Sequence, residues 1–211
     1  MACIFFDLDG TLVNSQQRLY ELFRELCPEC AMSYGEYWAI KRGRMSQKDM
    51  LQEYYGYNDA QVRAFHELWF AKVEEPARVD RDEPVPGMDV VLRDCAQRHT
   101  LFVASNRQNG PLAEAELSRL GWRDLFSAIL ITGQKRSKEE LIRDCCTVAP
   151  EDVLVGDTGE DIRAARSLGI RSIAVSWGIL ERSILAEYAP DILLDDVSQL
   201  LTCGLLQGVC L

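Results

Sequence analysis

The sequence predicts an α/β protein: a three-layer fold with a parallel sheet covered by helices on both faces, interrupted after its first strand by a small all-helical insert. Three observations predict it. A continuous apolar run, Cys3-Ile4-Phe5-Phe6, ends abruptly at Asp7, as a strand buried on both faces does. From Gly87 onward, helical patterns alternate regularly with short apolar, β-favouring runs. Residues 34–79, between these two parts, are rich in Tyr, Trp, Phe, Met and charge and hold no strand-like run.

Taken in order, residues 16–26 carry Leu19, Leu22, Phe23 and Leu26 at helical spacing, and Pro28 stops that helix. Further helices are expected over 34–41, 46–55 and 59–73, with Ser46 and Asn58 or Asp59 as N-caps. Residues 80–87 are polar and contain Pro84 and Pro86, which reads as a linker. Then come helix 88–97, strand 100–104, helix 111–120, strand 128–131, helix 137–146, strand 152–155, helix 161–168 and strand 171–175. A short strand at 192–194 is expected to precede a terminal helix. The domains are therefore expected to be a catalytic core of residues 1–14 and 84–211 and a helical cap of 15–83. The cap would hang on hinge strands near 13–15 and 82–86.

Composition limits the function classes. The 211 residues suffice for one substantial core plus a small lobe, and 47% hydrophobic residues with 27% charged exclude a disordered chain. A net charge of −10 excludes the broad basic face that nucleic acid requires, and disfavours docking on anionic membranes. A phosphate would be repelled at long range, so a phosphate site would need a local positive patch or a metal ion. The apolar runs are short and broken by charge, and Met1 to Phe6 lacks the basic start of a signal peptide, which points to the cytoplasm. Of the eight cysteines, Cys3, Cys95, Cys145 and Cys146 lie in apolar elements and are expected to be reduced core residues. Cys27 and Cys30 form one C-x-x-C; a structural zinc site would need a second pair of ligands, and His66 and His99 are the only histidines. Helix-end packing is the simpler reading of that pair, and Cys203 and Cys210 sit in the tail.

In an open parallel sheet, ligands bind beyond the carboxyl ends of the strands. The polar residues that follow the predicted strands form a chemically coherent set: Asp7-Leu8-Asp9-Gly10-Thr11, Ser105-Asn106-Arg107, residues 132–138 ending in Lys138, and Gly156-Asp157 with Glu160 and Asp161. Asp7, Asp9, Asp157 and Asp161 would crowd one small site and repel each other unless a hard divalent cation joined them, which argues for magnesium. Asp7, at the end of a buried strand, can attack phosphorus, and Asp9 can protonate the leaving oxygen and then activate water. Gly10 permits a sharp turn, and backbone amides from Gly10, Thr11 and Asn106 can hold phosphoryl oxygens. Ser105 offers a hydroxyl, and Lys138 brings positive charge at the start of a helix, where charge stabilisation dominates phosphoryl transfer.

Together these residues resemble the haloacid dehalogenase-like hydrolase superfamily. D-x-D-G-T-L is present as Asp7 to Leu12, the strand ending in Ser-Asn as Ser105-Asn106, the lysine as Lys138, and G-D-x-x-x-D as Gly156, Asp157 and Asp161. Order and spacing match over nearly the whole chain, with a helical cap between the first two motifs. Gly156 to Gly169 and Pro86-Gly87 are similar to the phosphoglycolate-phosphatase-like branch. The resemblance implies a Rossmann-like core and a magnesium-dependent phosphatase of a small phosphorylated metabolite, monomeric or homodimeric. It also implies Asp7 as nucleophile, Asp9 as acid/base, and Ser105 and Lys138 as the remaining catalytic residues. The metal ligands it implies are Asp7, the Asp9 carbonyl and Asp157, with Asp161 beside them or an occasional ligand.

Some alternatives stay open at this point. Asp161 can serve as a helix cap as well. In the insert, Arg42 and Arg44 flank Gly43 and either reach a second anionic group of the substrate or form a solvated turn. The aromatic set Tyr34, Tyr37, Trp38, Tyr54, Tyr55, Phe65, Trp69 and Phe70 is expected to be mainly the insert's core. Asp9 argues against a carbon–halogen dehalogenase, whose branch lacks it. A sugar phosphomutase would share these motifs, and a catalytically silent phosphate-binding protein could keep the scaffold. A phosphonate hydrolase would need a buried lysine such as Lys41 or Lys48, which nothing in the sequence marks. No P-loop motif is present.

Overall fold

The computed structural model describes residues 1–207, so Cys210 lies outside the described residues. The chain divides into two compact units, one comprising residues 1–14 and the chain from Glu83 onward, the other Ser15–Asp82.

The first unit is built on six parallel strands: β1 (Cys3–Phe6), β4 (Thr100–Ser105), β5 (Phe126–Ile131), β6 (Val153–Gly156), β7 (Arg171–Val175) and β8 (Ile192–Leu194). Their order is β5-β4-β1-β6-β7-β8. The short strands β2 (Val13–Asn14) and β3 (Glu83–Pro84) pair antiparallel with each other. β1 lies between β4 and β6, with Phe6 opposite Val103 on one side and Val155 on the other. The chain winds outward from β1 through β4 to β5, then crosses back to β6. The winding direction reverses beside β1, where such sheets bind ligands.

Alternate residues of β1 feed two cores. Ile4 and Phe6 join Val103, Val155 and Trp122 on one face. Phe5 joins Phe102, Leu154 and Ile142 on the other, its ring stacked on Phe102 with centroids 5.0 Å apart. Burial on both faces is why the strand reads as an unbroken apolar run. The faces are covered by α6 (Met88–Ala96), α7 (Gly110–Arg119), α8 (Lys138–Cys145), α9 (Gly159–Leu168) and α10 (Arg182–Glu187). Only six residues long, α10 shows no periodicity that a sequence pattern could reveal.

The second unit holds α1 (Gln16–Leu26), α2 (Tyr34–Arg42), α3 (Gln47–Tyr55), α4 (Asp59–Lys72) and the single turn α5 (Pro76–Val79). Phe23 is its hub, with ring centroids 5.0 Å from Tyr37 and 5.5 Å from Phe65. Its two ends are tied together by a buried fork: Arg18 Nε donates to both oxygens of Asp82, at 3.0 and 2.9 Å, while Nη1 donates to the Val73 carbonyl at 2.7 Å.

Three expectations need correction. The terminal helix is two 3-10 segments, Val197–Thr202 and Gly204–Leu206. Cys203 and Gly204 break the run, and Leu200 and Leu206 are buried from these tight turns. Cys145 is exposed at the end of α8. Tyr34, Tyr54 and Phe70 are exposed on the helical unit, and only Tyr37, Trp38, Phe65 and Trp69 of the aromatic set are buried in it, with Tyr55 between. Lys41 is half-buried, and burial pushes its ammonium down to about 8; its Nζ donates to the Met45 carbonyl at 2.9 Å and so closes its own loop.

Candidate active site

Each strand end that the sequence singled out delivers its polar residue to the same sheet edge. Asp7 follows β1 directly, and its amide still donates to the Val155 carbonyl at 2.9 Å, so the nucleophile candidate is fixed by the sheet itself. The chain then turns tightly. The amides of Leu12 and Val13 both donate to the Leu8 carbonyl, at 2.9 and 3.0 Å, and the Gly10 amide donates to the Val13 carbonyl at 2.8 Å. Gly10 has φ +81°, and a β-carbon there would stand 2.2 Å from an Asp157 carboxylate oxygen. The glycine is required twice, for the turn and for the close approach.

Asp157 follows β6 and is fully buried. Its Oδ2 accepts the Ile179 amide at 2.6 Å, and its Oδ1 accepts the Thr11 hydroxyl at 3.4 Å. Asp161 sits in the first turn of α9, where its Oδ2 accepts from the Thr158 amide at 3.1 Å and hydroxyl at 2.7 Å. Lys138 opens α8, whose N-terminus is capped reciprocally by Ser137 and Glu140. Its Nζ lies 2.7 Å from Asp7 Oδ1 and 2.6 Å from Asp161 Oδ1. Carboxylate oxygens of Asp7, Asp157 and Asp161 all lie within 4.8 Å of one another.

The electrostatics follow from this crowding. Burial raises the Asp7 carboxyl to about 7; Lys138 opposes the rise, and the Asp161 charge adds to it. Burial, then the charges of Asp7 and Asp161, push Asp157 well above the ordinary carboxylate range, against the Ile179 amide and Lys138. Burial pulls the Lys138 ammonium down, but Asp161 and Asp7 outweigh it and hold the ammonium above its usual value. Three buried carboxylates thus face one ammonium, which leaves two negative charges to balance. A hard divalent cation fits that deficit and that all-oxygen donor set. Asp157 fits it best, since the Ile179 amide and the Thr11 hydroxyl that bond to its carboxylate carry no charge.

The other expected residues are placed as follows. Ser105 ends β4, is buried, and its Oγ accepts the Arg107 amide at 3.4 Å. Asn106 is half-buried and donates to Glu160 at 2.7 Å. Asp9 is held by Arg107, whose Nε and Nη2 donate to its two oxygens at 2.7 and 2.9 Å. Arg42 ends α2 and Arg44 follows with φ +74°; both belong to the helical unit. Lys135 and Arg136 are exposed.

Sequence reasoning missed three contributors. Arg107 stood in the strand-end set but received no role; a basic residue two positions after Ser105 was the available signal. Glu116, buried on α7 and paired with Arg107, gave none. The Ile179 amide could not be found from side-chain chemistry, because the group is backbone.

The haloacid dehalogenase-like hydrolase profile matches residues 4–175, from β1 to the end of β7. The chain belongs to this family. Among curated haloacid dehalogenase-like relatives, the phosphoglycolate phosphatase of Synechococcus elongatus is 27% identical over 216 residues, covering 95% of this chain and 96% of its own length. The pyrophosphatase PpaX of Anoxybacillus flavithermus is 26% identical over 222 residues, covering 94% of each chain. A haloacid dehalogenase-like hydrolase from Streptococcus pneumoniae has the same fold, with a TM-score of 0.73 at 22% identity over 96% of this chain and 97% of that one. Among the described residues, no helix is long and apolar enough to cross a membrane.

Proposed function

We propose that the protein is a magnesium-dependent phosphatase that hydrolyses a small phosphate monoester through an aspartyl phosphate on Asp7, in the manner of a phosphoglycolate phosphatase. The observation that carries the reading is the buried triangle of Asp7, Asp157 and Asp161 with a single lysine across it. The names of the curated relatives, a phosphoglycolate phosphatase and a pyrophosphatase, support phosphate chemistry.

Asp7, Asp157 and the Asp9 carbonyl would hold the magnesium ion, with Asp161 beside them. When bound, the ion would neutralise phosphate charge and favour the ionised form of Asp7. The Asp7 carboxylate forms a bond to phosphorus as the bond to the leaving oxygen breaks, and Asp9 gives its proton to that oxygen. Asp9, now a carboxylate, takes a proton from water as the water oxygen bonds to phosphorus and the Asp7–phosphorus bond breaks. Lys138 spreads its charge over the phosphoryl group and the Asp7 oxygen, and Asp161 holds it in place. Ser105 and the Asn106 amide would hold the phosphoryl oxygens; the Gly10 and Thr11 amides, expected to do so, instead donate to the Val13 and Leu8 carbonyls within the turn. The unit of residues 15–82 would act as the cap that selects substrate, with Arg42 and Arg44 as its candidate substrate contacts. A small metabolite in the cytoplasm is the substrate class these features suit.

The test is phosphate release from p-nitrophenyl phosphate and a panel of small esters, including phosphoglycolate and pyrophosphate. Release with magnesium, lost in EDTA and reduced to background in Asp7→Asn, supports the reading. Folded, magnesium-supplied protein that releases nothing from any ester overturns it.

A further inference from the structure

We propose that Arg107, seated on Glu116, is the positioning residue that holds Asp9 where it exchanges protons with the leaving oxygen and with water. The assignment rests on the phosphatase reading above. Asp9 lies in the tight turn that follows β1. The Arg107 guanidinium engages both of its oxygens in a fork, which fixes the plane of the carboxyl as well as its place. A lysine, a point charge, could not do so.

The guanidinium is itself immobilised. Arg107 is 4% exposed and Glu116 is 3% exposed. Nη1 donates to Glu116 Oε2, so the arginine keeps an anchor when Asp9 leaves one tooth of the fork to carry a proton. The backbone is pinned as well: the Arg107 amide donates to Ser105 Oγ at 3.4 Å, and the Gly133 amide donates to the Arg107 carbonyl at 3.0 Å. An arginine and a glutamate in so dry a place are a poor stability device, because apolar residues of similar size commonly do as well or better. Their arrangement is accounted for by the carboxyl they orient.

A positioning role predicts selectivity by leaving group. Arg107→Met, Arg107→Lys and Glu116→Gln would be compared on kcat/KM for an alkyl phosphate, whose leaving oxygen needs a proton, and for p-nitrophenyl phosphate, which needs it far less. Arg107→Met is expected to lose about 10²-fold on the alkyl ester and less than about tenfold on the aryl ester. Arg107→Lys should fall between Arg107→Met and wild type. Glu116→Gln should show the same selectivity with a smaller loss, and it serves as the test if Arg107→Met does not fold. Equal losses on both esters, or none, would overturn the assignment alone. Wild-type protein that cleaves neither ester would overturn the phosphatase reading, and the assignment with it.

Discussion

Asp157 is as buried as any apolar residue of the sheet, yet its carboxyl sits where charge is most costly. What makes the place habitable is the loop after β7. A β-carbon on Gly178 would stand 2.2 Å from Asp157 Oδ2 and 2.5 Å from the Gly10 carbonyl, so glycine alone lets the Ile179 amide reach the carboxylate. Gly178→Ala should therefore displace Asp157 and raise the magnesium concentration needed for half-maximal activity by about 10- to 100-fold, as loss of a group that orients a metal ligand does. A magnesium titration of activity measures this, and an unchanged midpoint would remove Asp157 from the metal ligands. Asp7 and Asp157 were legible in the sequence because each stands directly after an apolar strand, and Asp9 and Asp161 because they complete the short motifs that those two open. The Arg107–Asp9 pairing was not, since 98 positions separate the partners and no one-dimensional pattern joins them.

At the scale of elements, α8 shows how local chemistry serves the site. Ser137 and Glu140 cap its N-terminus reciprocally, which fixes the turn that carries Lys138. Ser137→Ala should cost about 1 kcal/mol of stability, read as a lower urea midpoint. It should reduce activity far less than Lys138→Met, which leaves Asp7 and Asp161 facing each other without their shared ammonium. The long amphipathic helices and apolar strands of the sheet were visible from periodicity and burial. The ends of the chain's elements were less so: Val197–Thr202 carries a helix-like pattern but winds as 3-10 turns, and six-residue α10 is too short to register. In the helical unit, composition foretold aromatic packing but not which rings face water, because Tyr54 and Phe70 lie on the outer sides of helices whose inner sides carry Leu51 and Phe65.

For the whole molecule, pH and metal should act in opposite directions on stability. The folded metal-free protein keeps a proton on Asp7 up to about 7, whereas the unfolded chain releases it near 3.8. Stability from this group is complete below 3.8 and is lost as pH rises through about 7; Asp157, also raised, acts in the same direction. Lys138 is charged in both states across that range and contributes no slope. Magnesium binds the ionised carboxylates, so it stabilises the folded state more as pH rises. Thermal melts in EDTA and in magnesium should differ little at about pH 5 and by several degrees at about pH 8. A magnesium shift that does not grow with pH would contradict the placement of the ion among these carboxylates.

The central position of β1 also has a cost in time. Its partners, β4 and β6, begin at Thr100 and Val153, so β1 is enclosed only long after it is made. At ribosomal speeds of about 5–20 residues per second, Ile4, Phe5 and Phe6 wait roughly 8–30 seconds for both neighbours to be synthesised. During that interval the nascent chain exposes an apolar segment with at least one unpaired edge, the kind of surface that chaperones hold and that aggregates when they do not. The helical unit, a compact stretch of residues 15–82, can form in the meantime while β1 still waits for its partners.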